Sequence, residues 1–176
     1  MEAFLAAIAN MWERFIPWTT VMPWDAGVRV RFGKRQWTKL VRGGFHLKIP
    51  FADEFYTMNI QRQVLDFPNQ VVQTTDNKAM CVSGWCVYTI SDPMKVWLDV
   101  QDHDDALSAK GMDLLAEYLN EMESADCDRE SLIHHCGTAL NIYATGWGCD
   151  IIEFGITDLA PAKVFRLISQ DTPLTV

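Results

Sequence analysis

The 176-residue sequence predicts an α+β domain, β-rich in its first half and helical in its second half with a closing strand, preceded by an amphipathic N-terminal membrane-associating helix. Three observations point to that order. Apolar residues first recur at three- and four-residue steps, alternate with polar ones from Ala26 onward, and resume helical spacing after Asp92. Gly43-Gly44 and Asp92-Pro93 punctuate the chain with turn and helix-start signals. A composition 49% apolar and 22% charged suits one globular unit with its own core, and excludes low-complexity disorder and a polytopic membrane protein.

In the opening stretch, Phe4, Leu5, Ile8, Met11, Trp12, Phe15 and Ile16 fall on one helical face, with Glu2, Asn10, Glu13 and Arg14 largely elsewhere. The residues before Pro17 are fewer than the roughly 20 needed to span a bilayer, and Glu13 and Arg14 would be costly at its centre. The segment is therefore expected to lie in the membrane interface or to re-enter near Pro17. Trp12, Trp18 and Trp24 recur close together, and indoles favour the headgroup boundary. Residues 1–24 thus form the expected membrane-binding segment, through Phe4, Leu5, Ile8, Met11, Trp12, Phe15, Ile16, Trp18 and Trp24. A terminal helix docked on its own domain or on a neighbouring subunit has the same pattern.

Val28, Val30 and Phe32 alternate with Arg29 and Arg31 up to Gly33, and Phe45, Leu47 and Ile49 alternate with His46 and Lys48 up to Pro50. Two half-buried strands follow, with Gly43-Gly44 as the turn between them. Further strands are expected over 55–60, 64–67 and 78–90, the last with Gly84 as a candidate bulge. Asp92 and Pro93 suit the N-cap and first position of a short helix through Met94, Val96, Trp97 and Val100. Longer helices are expected over 104–122 and 128–145, the second stopping at Gly146. A strand over 151–157 and a helix over 161–169 complete the reading. The domain is placed at 25–168, divided into a β-rich part (25–91) and a helical part with the final strand (92–168), with 169–176 as a tail.

Charge is divided along the chain. The net charge of −8 argues against a general nucleic-acid binder, yet residues 1–63 hold nine basic against five acidic residues, a net +4, which leaves −12 for the rest. One end thus suits an anionic surface that the other would repel. Arg14, Arg29, Arg31, Lys34 and Arg35 are the expected anionic-lipid flank. Solvated surface charge clustered by chance is the alternative.

Gln101-Asp102-His103-Asp104-Asp105 lacks the alternating ligands, central Gly and terminal Glu of an EF-hand, and reads as an acidic helix start. His134 and His135 are adjacent, about 100° apart on a helix, and do not share the i, i+4 geometry of a zinc helix. Five cysteines, an odd number at scattered spacings, point to reduced thiols. No nucleophile elbow, dinucleotide fingerprint or phosphate-binding loop is present. No catalytic residue, metal site or cofactor is expected.

Several motifs in order resemble the SPFH, or band 7, family of stomatins, prohibitins and flotillins. Asp25-Ala26-Gly27-Val28-Arg29-Val30-Arg31-Phe32-Gly33-Lys34 is similar to its opening strand, and Gly43-Gly44-Phe45-His46-Leu47-Lys48-Ile49-Pro50-Phe51 to its GPG-hydrophobic-P segment, with Gly43 where proline is more usual. Thr75-Asp76-Asn77 before a long strand, Asp128-Arg129-Glu130 at a helix start, Trp147-Gly148-Cys149-Asp150-Ile151 and Ile156-Thr157-Asp158-Leu159-Ala160-Pro161 continue the likeness over about residues 25–168. The resemblance implies a non-enzymatic, membrane-associated scaffold with its domain on the cytoplasmic side. It would self-assemble and organise membrane microdomains or membrane proteins. Its implied partners are membrane lipids, further copies of itself, and a membrane protease or other membrane protein, with no nucleic acid and no cofactor. About 15 residues follow Pro161 where relatives carry a long assembly helix, so small or partner-dependent assemblies, homo-oligomers through the domain itself, are expected. With no cysteine before Cys81, attachment would rest on the apolar face and basic flank. A bacterial or phage source fits this compact form. The alternative function is a soluble regulatory module that caps or inhibits a host protease or other membrane enzyme, its N-terminal helix docking on that partner.

Overall fold

The alternation between Lys78 and Ile90 marks the central strand of the larger sheet. The computed structural model describes residues 18–162, and its elements run β1 (Trp18–Val21), β2 (Asp25–Arg31), β3 (Lys34–Val41), β4 (Gly44–Leu47), β5 (Asp53–Asn59), β6 (Gln63–Gln73), β7 (Ala79–Ile90), α1 (Pro93–Asp99), α2 (His103–Glu121), α3 (Arg129–Trp147) and β8 (Cys149–Pro161). Strand β7 lies between β6 and β8 in an antiparallel sheet. Met80, Val82, Cys86, Tyr88 and Ile90 share its buried face. Against this layer α2 and α3 place Leu107, Leu115, Leu119, Leu132, Cys136 and Leu140, each almost wholly buried. Full burial of such a leucine contributes about 1.5–3 kcal/mol, so this helical layer holds most of the core. Close packing demands Gly111 on α2, because a β-carbon there would stand 2.7 Å from the Phe67 ring.

Each helix begins with an aspartate that accepts hydrogen bonds from otherwise orphaned backbone N–H groups. Asp92 accepts from Met94 and Lys95, Asp102 from Asp105, and Asp128 from Ser131. Helix α3 ends at Gly148, whose φ of 90° lies in the left-handed region. The expected stop at Gly146 was two residues early, because Gly146 continues the helix and Gly148 makes the cap.

The N-terminal half carries two smaller antiparallel sheets, β3-β2-β5 and β1-β4. Helix α1 packs on β2 and β3, while Val21 of β1 closes over Gly27 of β2. This arrangement corrects the expected pairing. Strand β2 turns at Phe32-Gly33 into β3, a strand not foreseen, and β4 pairs with β1 instead. The charges and the lack of a regular apolar face in Lys34–Val41 hide β3, which is an edge strand that buries only Val41. Trp18–Val21, assigned from sequence to the membrane segment, is thereby a strand. Pro161, expected to open a helix, closes β8 opposite Met80, where an edge position spares it a ladder donor. The rest of that helix, residues 163–169, the tail to residue 176, and the amphipathic segment with Phe4, Leu5, Ile8, Met11, Trp12, Arg14, Phe15 and Ile16 lie outside the described residues. At Gly84 the β7–β8 register shifts, as the bulge expected there requires.

Candidate functional site

The two-stranded sheet β1-β4 is inside out. Trp18 lies opposite Leu47 and Thr20 opposite Phe45, so these four side chains share one face. That face points to solvent: Trp18, Phe45 and Leu47 are 51%, 64% and 69% exposed, whereas Val21 on the other face is buried against Gly27 and Val41. Trp18 stacks on Phe45 with ring centroids 6.5 Å apart. Ile49 and Phe51 continue the exposure past the end of β4, and Met22 and Trp24 extend it through the β1–β2 turn. Of sixteen large apolar side chains exposed among the described residues, eleven lie between Trp18 and Tyr56. Apolar surface gathered in this way marks an interaction site, since isolated exposed leucines need no explanation but contiguous patches do.

A second group of aromatics stands at the β2–β3 turn. Phe32 and Gly33 both have positive φ, 52° and 65°, which costs a non-glycine residue about 1–2 kcal/mol. Phe32 nevertheless holds its ring 61% exposed, edge-on to Trp37 at 5.8 Å, while its N–H donates to Ala52 at 2.8 Å. The Lys34 ammonium lies 4.9 Å over the Trp37 ring.

Between these aromatics and the sheet is a cleft of about 400 Å³ lined by Arg29, Arg31, Phe32, Gln36, Trp37 and Lys39. Asp53 neutralises one of its cations: Arg31 donates Nε to one carboxylate oxygen at 2.7 Å and a terminal nitrogen to the other at 3.1 Å. The Asp53 carboxyl is held below the ordinary carboxylate range, chiefly by Arg31 and further by the Ile49 N–H. Arg29 and Lys39 face each other across β2 and β3 with no ion pair among the described residues. The expected flank thus divides. Arg35 pairs with Asp99 at 2.7 Å, Arg31 with Asp53, Lys34 covers Trp37, and Arg29 is left beside Lys39, which the sequence reading had not singled out. Lys39 was legible only through β3, the strand that was missed.

In the helical half, Tyr88 donates to Asp104 and stands 3.0 Å from the Gln63 side-chain amide, with the His103 ring edge-on to it. Burial raises the Tyr88 phenol above its ordinary range. Desolvation likewise pushes the thiols of Cys86 and Cys136 up to about 12 and that of Cys149 to about 11, which makes poor nucleophiles of them. Asp76 accepts from Thr74, Lys78 and Ser124 and ties the β6–β7 turn to the loop between α2 and α3. These groups serve packing and connection. Among the described residues no three His, Cys, Asp or Glu side chains converge as a metal site would require, and no helix is long and apolar enough to cross a membrane.

Comparison with known proteins gives the context for this surface. The family described as SPFH domain / Band 7 family matches residues 19–172. An uncharacterized protein of Methanothermobacter thermautotrophicus is 27% identical over 79% of this chain and 44% of its own length. An uncharacterized protein of Methanocaldococcus jannaschii is 26% identical over 81% of this chain and 72% of its own. The chain therefore spans less than half of the first relative. Both relatives are archaeal, whereas the sequence reading favoured a bacterial or phage source.

Proposed function

The chain belongs to the SPFH domain / Band 7 family, and from that premise we propose that it is a non-enzymatic membrane-associated scaffold that docks through the outer face of β1-β4. The observation that carries this reading is the inversion of β1-β4, with Trp18, Phe45 and Leu47 turned outward. A bilayer is the occupant that suits it best. Tryptophan and phenylalanine favour the headgroup boundary, and the exposed Arg42 and half-buried Lys48 flank the apolar strip with the charge that anionic lipids attract. Residues 1–24 are proposed to add their apolar side chains to the same contact. Copies of the domain then assemble side by side on the surface, where shared attachment multiplies weak binding, and the assembly organises lipids or membrane proteins on the cytoplasmic side.

A soluble module that caps a protease or another membrane enzyme is the second reading. The surface between α2 and α3, where Ile142 and Tyr143 are exposed beside Glu117 and Glu121, favours it, since acids suit a basic protein partner and repel an anionic bilayer. Flotation with protein-free vesicles separates the two. The full chain should float, and Phe45→Ser with Leu47→Ser should reduce the floating fraction without loss of folded protein. A full chain that stays at the bottom with every vesicle composition supports the capping module instead.

A further inference from the structure

We infer that the cleft between β2 and β3 is a seat for a phosphomonoester, the exposed headgroup phosphate of an anionic lipid, held by Arg29 and Lys39 with Gln36 beside them. The inference deepens the membrane reading and, for the lipid as source, rests on it. Its first support is an unmet need: the Arg29 Nε is sealed from solvent and has no hydrogen-bond partner among the described residues. A buried donor left unpaired costs about 1–3 kcal/mol, more when charged, so Arg29 is a charged side chain whose hydrogen-bonding capacity the fold leaves unused. The second is uncompensated charge. Arg29 and Lys39 are directly opposed in the ladder, where like charges repel, and Asp53, the carboxylate whose charge reaches Arg29, is already engaged by both Arg31 and the Ile49 N–H.

The third support is shape. The cleft is about 400 Å³, within the range of small-ligand sites, and its walls are the exposed rings of Phe32 and Trp37. A guanidinium fork and an ammonium converging from one wall match the oxygens of a phosphate, while the aromatic rim suits the carbon portion of a headgroup at the membrane boundary. A carboxylate lipid would satisfy charge but fill fewer of these donors. The strained Phe32 backbone has a place in this arrangement, because it sets the ring at the mouth of the cleft.

Two measurements on the full chain test the seat and its ligand separately. In the first, the melting midpoint is followed with inorganic phosphate against chloride at constant ionic strength. A saturable rise is expected, through binding to the folded state alone, and it should vanish in Arg29→Gln/Lys39→Gln. Lys39→Gln alone, an exposed change on an edge strand, should weaken the rise and guards against misfolding of the double variant. In the second, flotation compares phosphatidylcholine vesicles doped with phosphatidic acid or, at equal surface charge, with oleate. The chain should prefer phosphatidic acid by about tenfold, the scale of one charge-assisted hydrogen bond. Arg29→Gln/Lys39→Gln should lose that preference, and Arg42→Gln/Lys48→Gln, which removes equal charge outside the cleft, should keep it. Equal losses in both double variants, or a midpoint no higher in phosphate than in chloride, overturn the seat. A phosphate-dependent midpoint without any headgroup preference overturns the lipid and assigns a soluble phosphate ester. Failure to float with any vesicle defeats the membrane reading, while the midpoint still decides the seat.

Discussion

Phe32 pays with its backbone for the place of its ring. A two-residue hairpin turn with both φ values positive favours Asn-Gly, and here the first position is phenylalanine. Phe32→Asn should therefore stabilise the folded chain by about 1 kcal/mol, measured by urea unfolding, and at the same time lower vesicle binding. A variant that is both more stable and fully active in flotation would show that the ring is incidental. Titration at single residues sets the pH limits of the fold. Asp53 has a depressed folded pKa, so its contribution is present above the unfolded value of about 3.9 and fades as pH falls through the folded value. Cys86, Cys136 and Cys149 have raised values, so their contribution is complete below the unfolded value of about 8.5 and is lost as pH climbs toward 11 and 12. Urea midpoints across pH 3–10 should fall at both ends, and Asp53→Asn should flatten the acid limb.

The elements show how far a sequence pattern can be read. Period-two alternation marks β2 and β4, a β-rich run marks β7, the Asp92-Pro93 start signal marks α1, and the helical spacing of apolar residues marks α2 and α3, because these signals depend on local geometry alone. Which side of β4 faces inward was not legible. Alternation fixes that Phe45 and Leu47 share a face, but only pairing with β1 determines that the face is the outer one. Alternation predicts a half-buried β4 with Phe45, Leu47 and Ile49 inward, so the sequence places the expected membrane contact on residues 1–24 alone and not on this strand. Mutation should expose the difference. Leu115→Ala, at a core position, should cost about 2–5 kcal/mol, whereas Leu47→Ser should stay within about 0.5 kcal/mol. The helix stop offers a matched pair. At Gly146, exposed and within α3, alanine meets nothing within 4 Å and should stabilise by about 0.5–1 kcal/mol. At Gly148 it would take a left-handed backbone and press its β-carbon to 2.6 Å from the Asp92 carbonyl, so it should destabilise by more than about 1 kcal/mol.

At the scale of the whole molecule, the contacts that join the halves among the described residues include the Arg35–Asp99 ion pair and the Tyr56–Trp97 rings at 4.6 Å, both made by α1. They fix the basic, apolar-faced β half relative to the acidic helices. Between Asp92 and Glu130 there are twelve acidic and three basic side chains, and an anionic bilayer would repel them while attracting the first half. In the proposed membrane-bound state, apolar exposure and charge favour the same orientation, with β1-β4 and the Phe32 turn at the membrane and α2 and α3 away from it. The tryptophans can report it, because Trp18, Trp24 and Trp37 are exposed in the β half while Trp147 sits at the end of α3. In chains that retain a single tryptophan, brominated lipids should quench Trp18 and Trp37 strongly and leave Trp147 nearly unchanged. Raising salt should reduce binding to anionic vesicles, by screening, more than to neutral ones, where the apolar face acts alone. Equal quenching at Trp18 and Trp147 would mean that the domain lies on its side, and the charge division would then face along the membrane plane, where the basic half of one copy meets the acidic helices of the next.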